Sequence, residues 1–361
     1  MSIKVATALL QSHQATLALA EKAIQTALKK AKISQANAVL LIVSTHFSAI
    51  LQETILAVAH HAQTTQVLGC TANGFFTEED WVLDCPAVAV MVLAGDVQIH
   101  LADQAHEKET IFTIAAPNAI NAAWLNHGKM RYGGVSGDAT GQGKYVVWQN
   151  AKGEMTGRAE CYFSGVRCLS QPSHGLALLS APTSVQEATG FDLITVQNQH
   201  ALAHLTKAWR TFSPNDAHLP LHRLMLLYAN NAADFTQGNF AQASLVSLNA
   251  TKNSITLSHP LKSNQSIVWA VREPQNAPAD LAKTTKQRLK TAIQPPVFAL
   301  MFSTIGRGPF EDGIDHDLNT VTRLLKKTPL LGFYGNGAIA QIGNENQLLP
   351  YSVVLNIFVS Q

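Results

Sequence analysis

The sequence is short of charge. Asp, Glu, Lys and Arg make up 14% of its 361 residues, against about 25% in an average soluble domain. The 26 basic and 24 acidic side chains nearly cancel, leaving +2, so the electrostatic footprint of a nucleic-acid binder is missing. The densest basic stretch, KTTKQRLK at 283–290, sits in a helical pattern and reads as a solvated helix face. The low charge fraction also argues against disorder, and 47% apolar residues are enough to fill a sizeable core.

Other absences narrow the chemistry. The four cysteines (Cys70, Cys85, Cys161 and Cys168) never fall at C-x-x-C spacing, and the histidines, His60-His61 included, form no H-E-x-x-H, so neither a zinc site nor a redox motif is expected. No cofactor is called for. No apolar run reaches the roughly 18–20 residues of a membrane helix. The opening MSIKVATALLQSHQ lacks the apolar core and cleavage site of a secretory leader. A cytoplasmic protein with free thiols is the expectation. No G-x-x-x-x-G is followed by Lys and Ser/Thr, so there is no P-loop. Ser136 sits near a nucleophile-elbow pattern, but Asp138 stands where G-x-S-x-G needs glycine.

What the chain does have is repetition. AVLLIVST (38–45) and PVFALMFST (296–304) are continuous apolar runs, the mark of strands covered on both faces. Each is followed by a helical pattern, LQETILAVAHHA or DLNTVTRLLKK, the second with Asp315 or Asp317 as candidate cap. Each then returns to a strand and a glycine-rich turn, TQVLGCTANGFF or PLLGFYGNGAI. From Ser44 to Gly69 is 25 residues and from Ser303 to Gly332 is 29; both turns end in Asn-Gly, at Asn73-Gly74 and Asn336-Gly337. At 361 residues the chain exceeds the usual single-core limit of about 250–300. The expected fold is therefore mixed α/β: two related halves, with mixed sheets flanked by helices and strand–helix–strand–glycine turn–strand occurring twice. Between the halves the pattern becomes more β-rich, and SPNDAHLP (213–220) is the best linker candidate.

Four clusters suggest a binding site. Glycine turns after strands bare backbone N–H groups that can hold an anion, the reading given to 69–74 and 332–337. Arg307 stands between Gly306 and Gly308 directly after a buried strand, where guanidinium would suit a carboxylate or phosphate. The plainer reading is a surface arginine paired with Glu311, Asp312 or Asp315. In GGVSGDATGQG (133–143), Asp138 would hold an amine or merely stabilise its own turn. Cys70 and His46 follow neighbouring strands and form a candidate thiol nucleophile with its base, against the commoner buried structural cysteine.

Together VLGCTANGFF, YGGVSGDAT, VWAVREPQNAPADL and GRGPFEDGIDHDLNTVTRLLKKTPLLGFYGNGAIAQIG resemble the FIST family, whose N- and C-terminal domains occur in bacterial signalling proteins and eukaryotic F-box proteins. The resemblance runs from Ala38 to the end. It implies an N-terminal-like domain at 1–215, a C-terminal-like domain at 216–361, and a stand-alone, non-enzymatic sensory protein for a small polar, carboxylate-bearing, amino-acid-like ligand, with a signalling protein as partner and no contact with nucleic acid or membrane. The candidate ligand-binding residues are Arg307, Gly306, Gly308, Phe333, Tyr334, Asn336, Gly337, Cys70, Thr71, Asn73 and Asp138. Relatives read Gly-Glu-Ile where this chain has Gly337-Ala338-Ile339, which would remove a charge from the pocket. Two alternatives follow: an interaction scaffold whose pocket has decayed, or an acyl-transfer or hydrolytic enzyme using Cys70 and His46.

Overall fold

A computed structural model describes residues 2–361 except 107–108, 139, 141–142, 144, 152–156, 217, 239 and 310–312. The chain divides into two compact units. One comprises Met1–His174, Pro278–Gln341 and Glu345–Gln361; the other comprises Gly175–Ala277 and Ile342–Asn344. These units cut the chain elsewhere than the sequence domains 1–215 and 216–361.

The first unit shows why the apolar runs are continuous. Its strands and helices begin with β1 (Lys4–Gln11), α1 (Leu17–Ala31), β2 (Ala38–Ser44), α2 (Leu51–Ala62), β3 (Val67–Ala72), β4 (Gly74–Thr77), β5 (Trp81–Leu83) and β6 (Ala87–Ala94). They continue with β7 (Val166–Ser173), α4 (Ala277–Thr291, reached after α3, Ala201–Phe212, in the other unit), β8 (Pro296–Thr304), α5 (His316–Leu325), β9 (Leu330–Gly335), β10 (Gly337–Ile342) and β11 (Val353–Ser360). The first sheet has the order β1-β6-β2-β3 with Val147–Trp148 at its edge; the second has the order β7-β11-β8-β9-β4-β5. Along β2, Val39, Leu41 and Val43 pack under α1 and α2. Leu40 and Ile42 face the other way and meet Leu300, Phe302 and Phe333 of the second sheet. On that sheet Ala299 and Met301 lie under Leu318, Val321 and Leu325 of α5 and Leu281 of α4. Two sheets thus pack face to face with helices outside, and every strand residue in the middle is buried because side chains alternate between two apolar layers.

The duplication is visible in the strand order. β1-β6-β2-β3 and β7-β11-β8-β9 have the same order and the same sequence of antiparallel, antiparallel and parallel pairings. In each sheet the third and fourth strands are parallel, with Leu41 opposite Gly69 and Met301 opposite Gly332. That register corrects the alignment read from the sequence by one residue: Ser44 corresponds to Thr304, not Ser303. It also changes the role of the two glycines. Neither sits in a turn. A Cβ on Gly69 would stand 1.7 Å from the Leu41 carbonyl oxygen, and one on Gly332 would stand 2.0 Å from that of Met301. They permit close strand approach and do not form an anion nest. After each glycine strand the chain turns on a single asparagine, Asn73 or Asn336, and leaves its sheet. β4 pairs with β9 of the second sheet, and β10 pairs with Arg131–Val135 of a third sheet.

The second unit is a ring of antiparallel strands. Ser266–Arg272 pairs with both Thr183–Thr189 and Leu224–Ala229, closing a path through Asp192–Val196, Ser254–Leu257 and Ala241–Asn249. Trp269 and Trp209 of α3 fill its core. The linker candidate 213–220 falls inside this unit's range, and the Trp209 indole donates to the Asp216 carbonyl at 3.0 Å.

Candidate functional site

Four strand ends of the first unit place the candidate residues. Ser136, after the strand Arg131–Val135, donates its hydroxyl to the Thr71 carbonyl at the end of β3, and its N–H to Ala115 O at 2.8 Å. Thr71 Oγ1 accepts from Val146 N at 2.9 Å. Asn336 N donates to Val135 O at 2.9 Å, and Asn336 Nδ2 donates to Asp138 O at 2.8 Å. The turn after β9 therefore fixes the backbone at Asp138. Asp138 also closes its own turn, its Oδ1 accepting from Thr140 N at 2.9 Å and Thr140 Oγ1 at 2.7 Å. Across from it, Asp84 N donates to Asn73 O at 2.8 Å, with Asp84 held at φ 49°.

These segments enclose a cleft of about 320 Å³. One side is Asn73, Leu83 and Asp84; another is Asp138 and Thr140; the third is Ile305, Gly308 and Pro309. Crevices at the carboxyl ends of strands are where α/β folds hold ligands. The described lining carries two carboxylates, an amide and a hydroxyl, and among the described residues no Lys, Arg or His. Both charged groups of the described lining, Asp84 and Asp138, are carboxylates. Tyr145 responds to the same charge: burial first, then the Asp138 carboxylate, push its phenol above the usual range.

Of the sequence candidates, Asn73, Asp138 and Gly308 line this cleft, and Asn336 is bonded to it. The others are not among its lining residues. Gly306 is exposed, and Gly337 opens β10, where a Cβ would stand 2.6 Å from Leu348. Phe333 lies in the layer between the sheets. Tyr334 faces α5, its hydroxyl donating to Asp315 Oδ2. Ala338 is buried opposite Gly134, so a missing glutamate there takes no charge from the cleft.

Arg307 departs furthest from expectation. It is fully buried, not a surface residue. Nε and Nη2 meet Asp317 Oδ2 at 3.1 and 3.0 Å, and Nη1 donates to Ser173 O at 3.0 Å. Two proposed partners, Glu311 and Asp312, lie outside the described residues. Asp315 instead caps α5, accepting from Leu318 N at 2.8 Å. Cys70 is buried between the sheets, and burial pushes its thiol well above the usual range; His46 is exposed. Among the described residues no hydrogen bond joins the His46 imidazole to the Cys70 thiol, and an activated thiol needs a depressed pKa.

Sequence reasoning missed Leu83, Asp84, Thr140, Ile305 and Pro309 as lining residues, and Ser173 and Asp317 as partners of Arg307. Asp84 before Cys85-Pro86 offered a turn signal only. Nothing in the sequence links Ser173 to a residue 134 positions later. A wider, open depression of about 590 Å³ lies in the second unit, along α3 and Asn253. Its lining is one face of that helix, with Thr206, Lys207, Arg210 and Thr211, and Asn253 opposite.

Residues 201–341 match the family model of the FIST C domain. The match starts at the first residue of α3 and takes in Gly306, Arg307, Gly308, Asn336 and Gly337. The FIST likeness read in the motifs is thereby shown over that segment. Two uncharacterized proteins of Mycobacterium tuberculosis, from strains CDC 1551 / Oshkosh and ATCC 25618 / H37Rv, are each 23% identical over 331 residues, covering 84% of this chain and 86% of theirs.

Proposed function

We propose that this protein is a FIST-type sensory module that holds a small, polar, amine-bearing ligand, amino-acid-like in size, in the cleft between Asn73, Asp84, Asp138 and Gly308, and that it does so without catalysis. The observation that carries this reading is the convergence of three glycine-cluster segments, each remote in sequence, on one acidic cleft. The FIST C domain supports the sensory part. The carboxylate end of an amino acid would need a donor other than Arg307, whose guanidinium is already committed to Asp317 and Ser173. An ammonium group suits Asp138 and Asp84, and a charge-assisted hydrogen bond of this kind contributes about 1.5–3 kcal/mol. The buried, protonated Cys70 supports the non-enzymatic part. Among the described residues no helix is long and apolar enough to cross a membrane.

A thermal-shift panel of amino acids, amines, polyamines, amine-free carboxylates and nucleotides tests the reading, run on the wild type and on Asp138→Asn. Amine-bearing compounds should raise the melting temperature and lose that effect in the variant. Stabilisation by amine-free carboxylates alone would overturn the ligand class. A flat panel would overturn the sensor and leave the interaction scaffold standing.

A further inference from the structure

The duplicated halves diverge most sharply at one buried position. Phe47 and Arg307 are each the third residue beyond the corresponding strand ends Ser44 and Thr304, each in a short 3-10 turn and each fully buried. Phe47 sits in the apolar core beneath α1 and α2. At the matching place the second half carries a guanidinium, and around it a polar cluster that the first half lacks.

That cluster holds more negative than positive charge. Arg307 faces Asp317 on α5. Asp315, at the cap of the same helix, accepts from Tyr334 of β9. Asp280 of α4 accepts from Ser173 Oγ at 2.7 Å and His174 N at 3.0 Å, at the end of β7. His174 Nδ1 lies 3.0 Å from Ser352 Oγ, and burial depresses its pKa to about 4, so it stays neutral. The Tyr351 ring centroid is 5.8 Å from the guanidinium, and His316, next to Asp317, is exposed. Among the described residues, the Asp315 and Asp280 carboxylates both act on Asp317, the partner of this one guanidinium. Among the described residues, Oδ1 of Asp317, a residue 1% exposed, has no hydrogen-bond partner. A buried anionic oxygen without a partner is disfavoured, and a proton is the smallest group that neutralises it.

We propose that Asp317 is a proton-operated pin: in mild acid it takes up a proton, weakens its hold on Arg307 and alters the 305–308 segment that forms one wall of the cleft. Gly308, which lines the cleft, follows Arg307 directly, so a change at the guanidinium reaches the wall through one peptide bond. A neutral carboxyl accepts hydrogen bonds about half as strongly as a carboxylate. Burial raises the Asp317 pKa to about 6, outweighing the opposing pull of Arg307. The raised value also keeps the event local. The folded chain binds this proton more tightly than the unfolded chain, so protonation does not favour unfolding. The inference rests on the cleft being the ligand site, but its test needs no ligand.

Carboxyl 13C and backbone 15N NMR titrations of the full chain from pH 4.5 to 8 decide it. One Asp carboxyl should titrate near pH 6, and the amides of residues 305–308 should shift with the same midpoint. Asp317→Asn should remove both. Asp280→Asn, at a half-exposed residue whose charge raises the Asp317 pKa, should move the midpoint down and keeps the test open if the first variant folds poorly. No carboxyl titrating above pH 5, or wall amides that titrate unchanged in Asp317→Asn, overturns the pin. A ligand that binds a non-titrating wall defeats the pin alone; a titrating wall with no ligand defeats the sensor reading alone.

Discussion

Replacing Arg307 with alanine should destabilise the protein severely, unlike the loss of a surface arginine or of a side chain that serves only a ligand. The side chain is wholly buried. Its removal leaves the Asp317 carboxylate, 1% exposed, without either of its guanidinium bonds, and strips Ser173 O of its 3.0 Å donor. Breaking a buried ion pair from one side costs about 3–5 kcal/mol, and a unit of this size loses about 2–4 °C of melting temperature per kcal/mol. A drop of about 6–20 °C is expected at pH 8. The loss should shrink at pH 5. Asp317 already has a pKa raised from the ordinary carboxylate value to about 6, so its stabilising contribution is full in acid and is lost as pH rises through 6. Removing the guanidinium raises that pKa further and prolongs the acid plateau. Thermal melts of the variant and the wild type at pH 5 and pH 8 measure this. A variant melting within about 1 °C of the wild type at pH 8 would refute the buried pair and restore Arg307 as a ligand contact.

Alanine at Gly69 or Gly332 should cost at least as much as the about 1–3 kcal/mol of ordinary overpacking, because the added carbon meets a backbone carbonyl at 1.7 or 2.0 Å; soluble variants with wild-type melts would contradict the strand pairing. Cys70 should resist iodoacetamide at pH 8 in the folded protein and react only on unfolding, since burial holds its thiol protonated; rapid folded-state labelling would revive the nucleophile. His174 is neutral down to about pH 4 in the fold, against an ordinary 6.5. Its contribution is therefore present above pH 6.5 and lost as pH falls through 4, and His174→Gln should flatten acid denaturation over that window. An unchanged acid limb would argue that the imidazole is hydrated.

The architecture was legible because it rests on local signals. Runs such as AVLLIVS and PVFALMFST announce strands buried on both faces, and their repetition announced paired halves. What stayed hidden is non-local. β4 leaves the sheet of β3 to pair with β9, an exchange no hydrophobic period encodes. Asp84 lines the cleft only because β5 folds back on β4. Arg307 was read as a loop residue since glycines flank it, but its direction is set by Asp317, ten residues on, and by Ser173, far upstream. Asn73 and Asp138, singled out by local turn chemistry, do line the cleft, because turns at strand ends are where clefts form.

The measurement closest to the central claim is the melting shift with amine-bearing small molecules in the wild type and in Asp138→Asn. At about 100 times the dissociation constant a ligand should stabilise the wild type by about 2.7 kcal/mol, and the variant should need about 10- to 100-fold more ligand for the same shift. Equal shifts in both proteins, or none with any amine, would contradict an acidic ligand cleft built on Asp138.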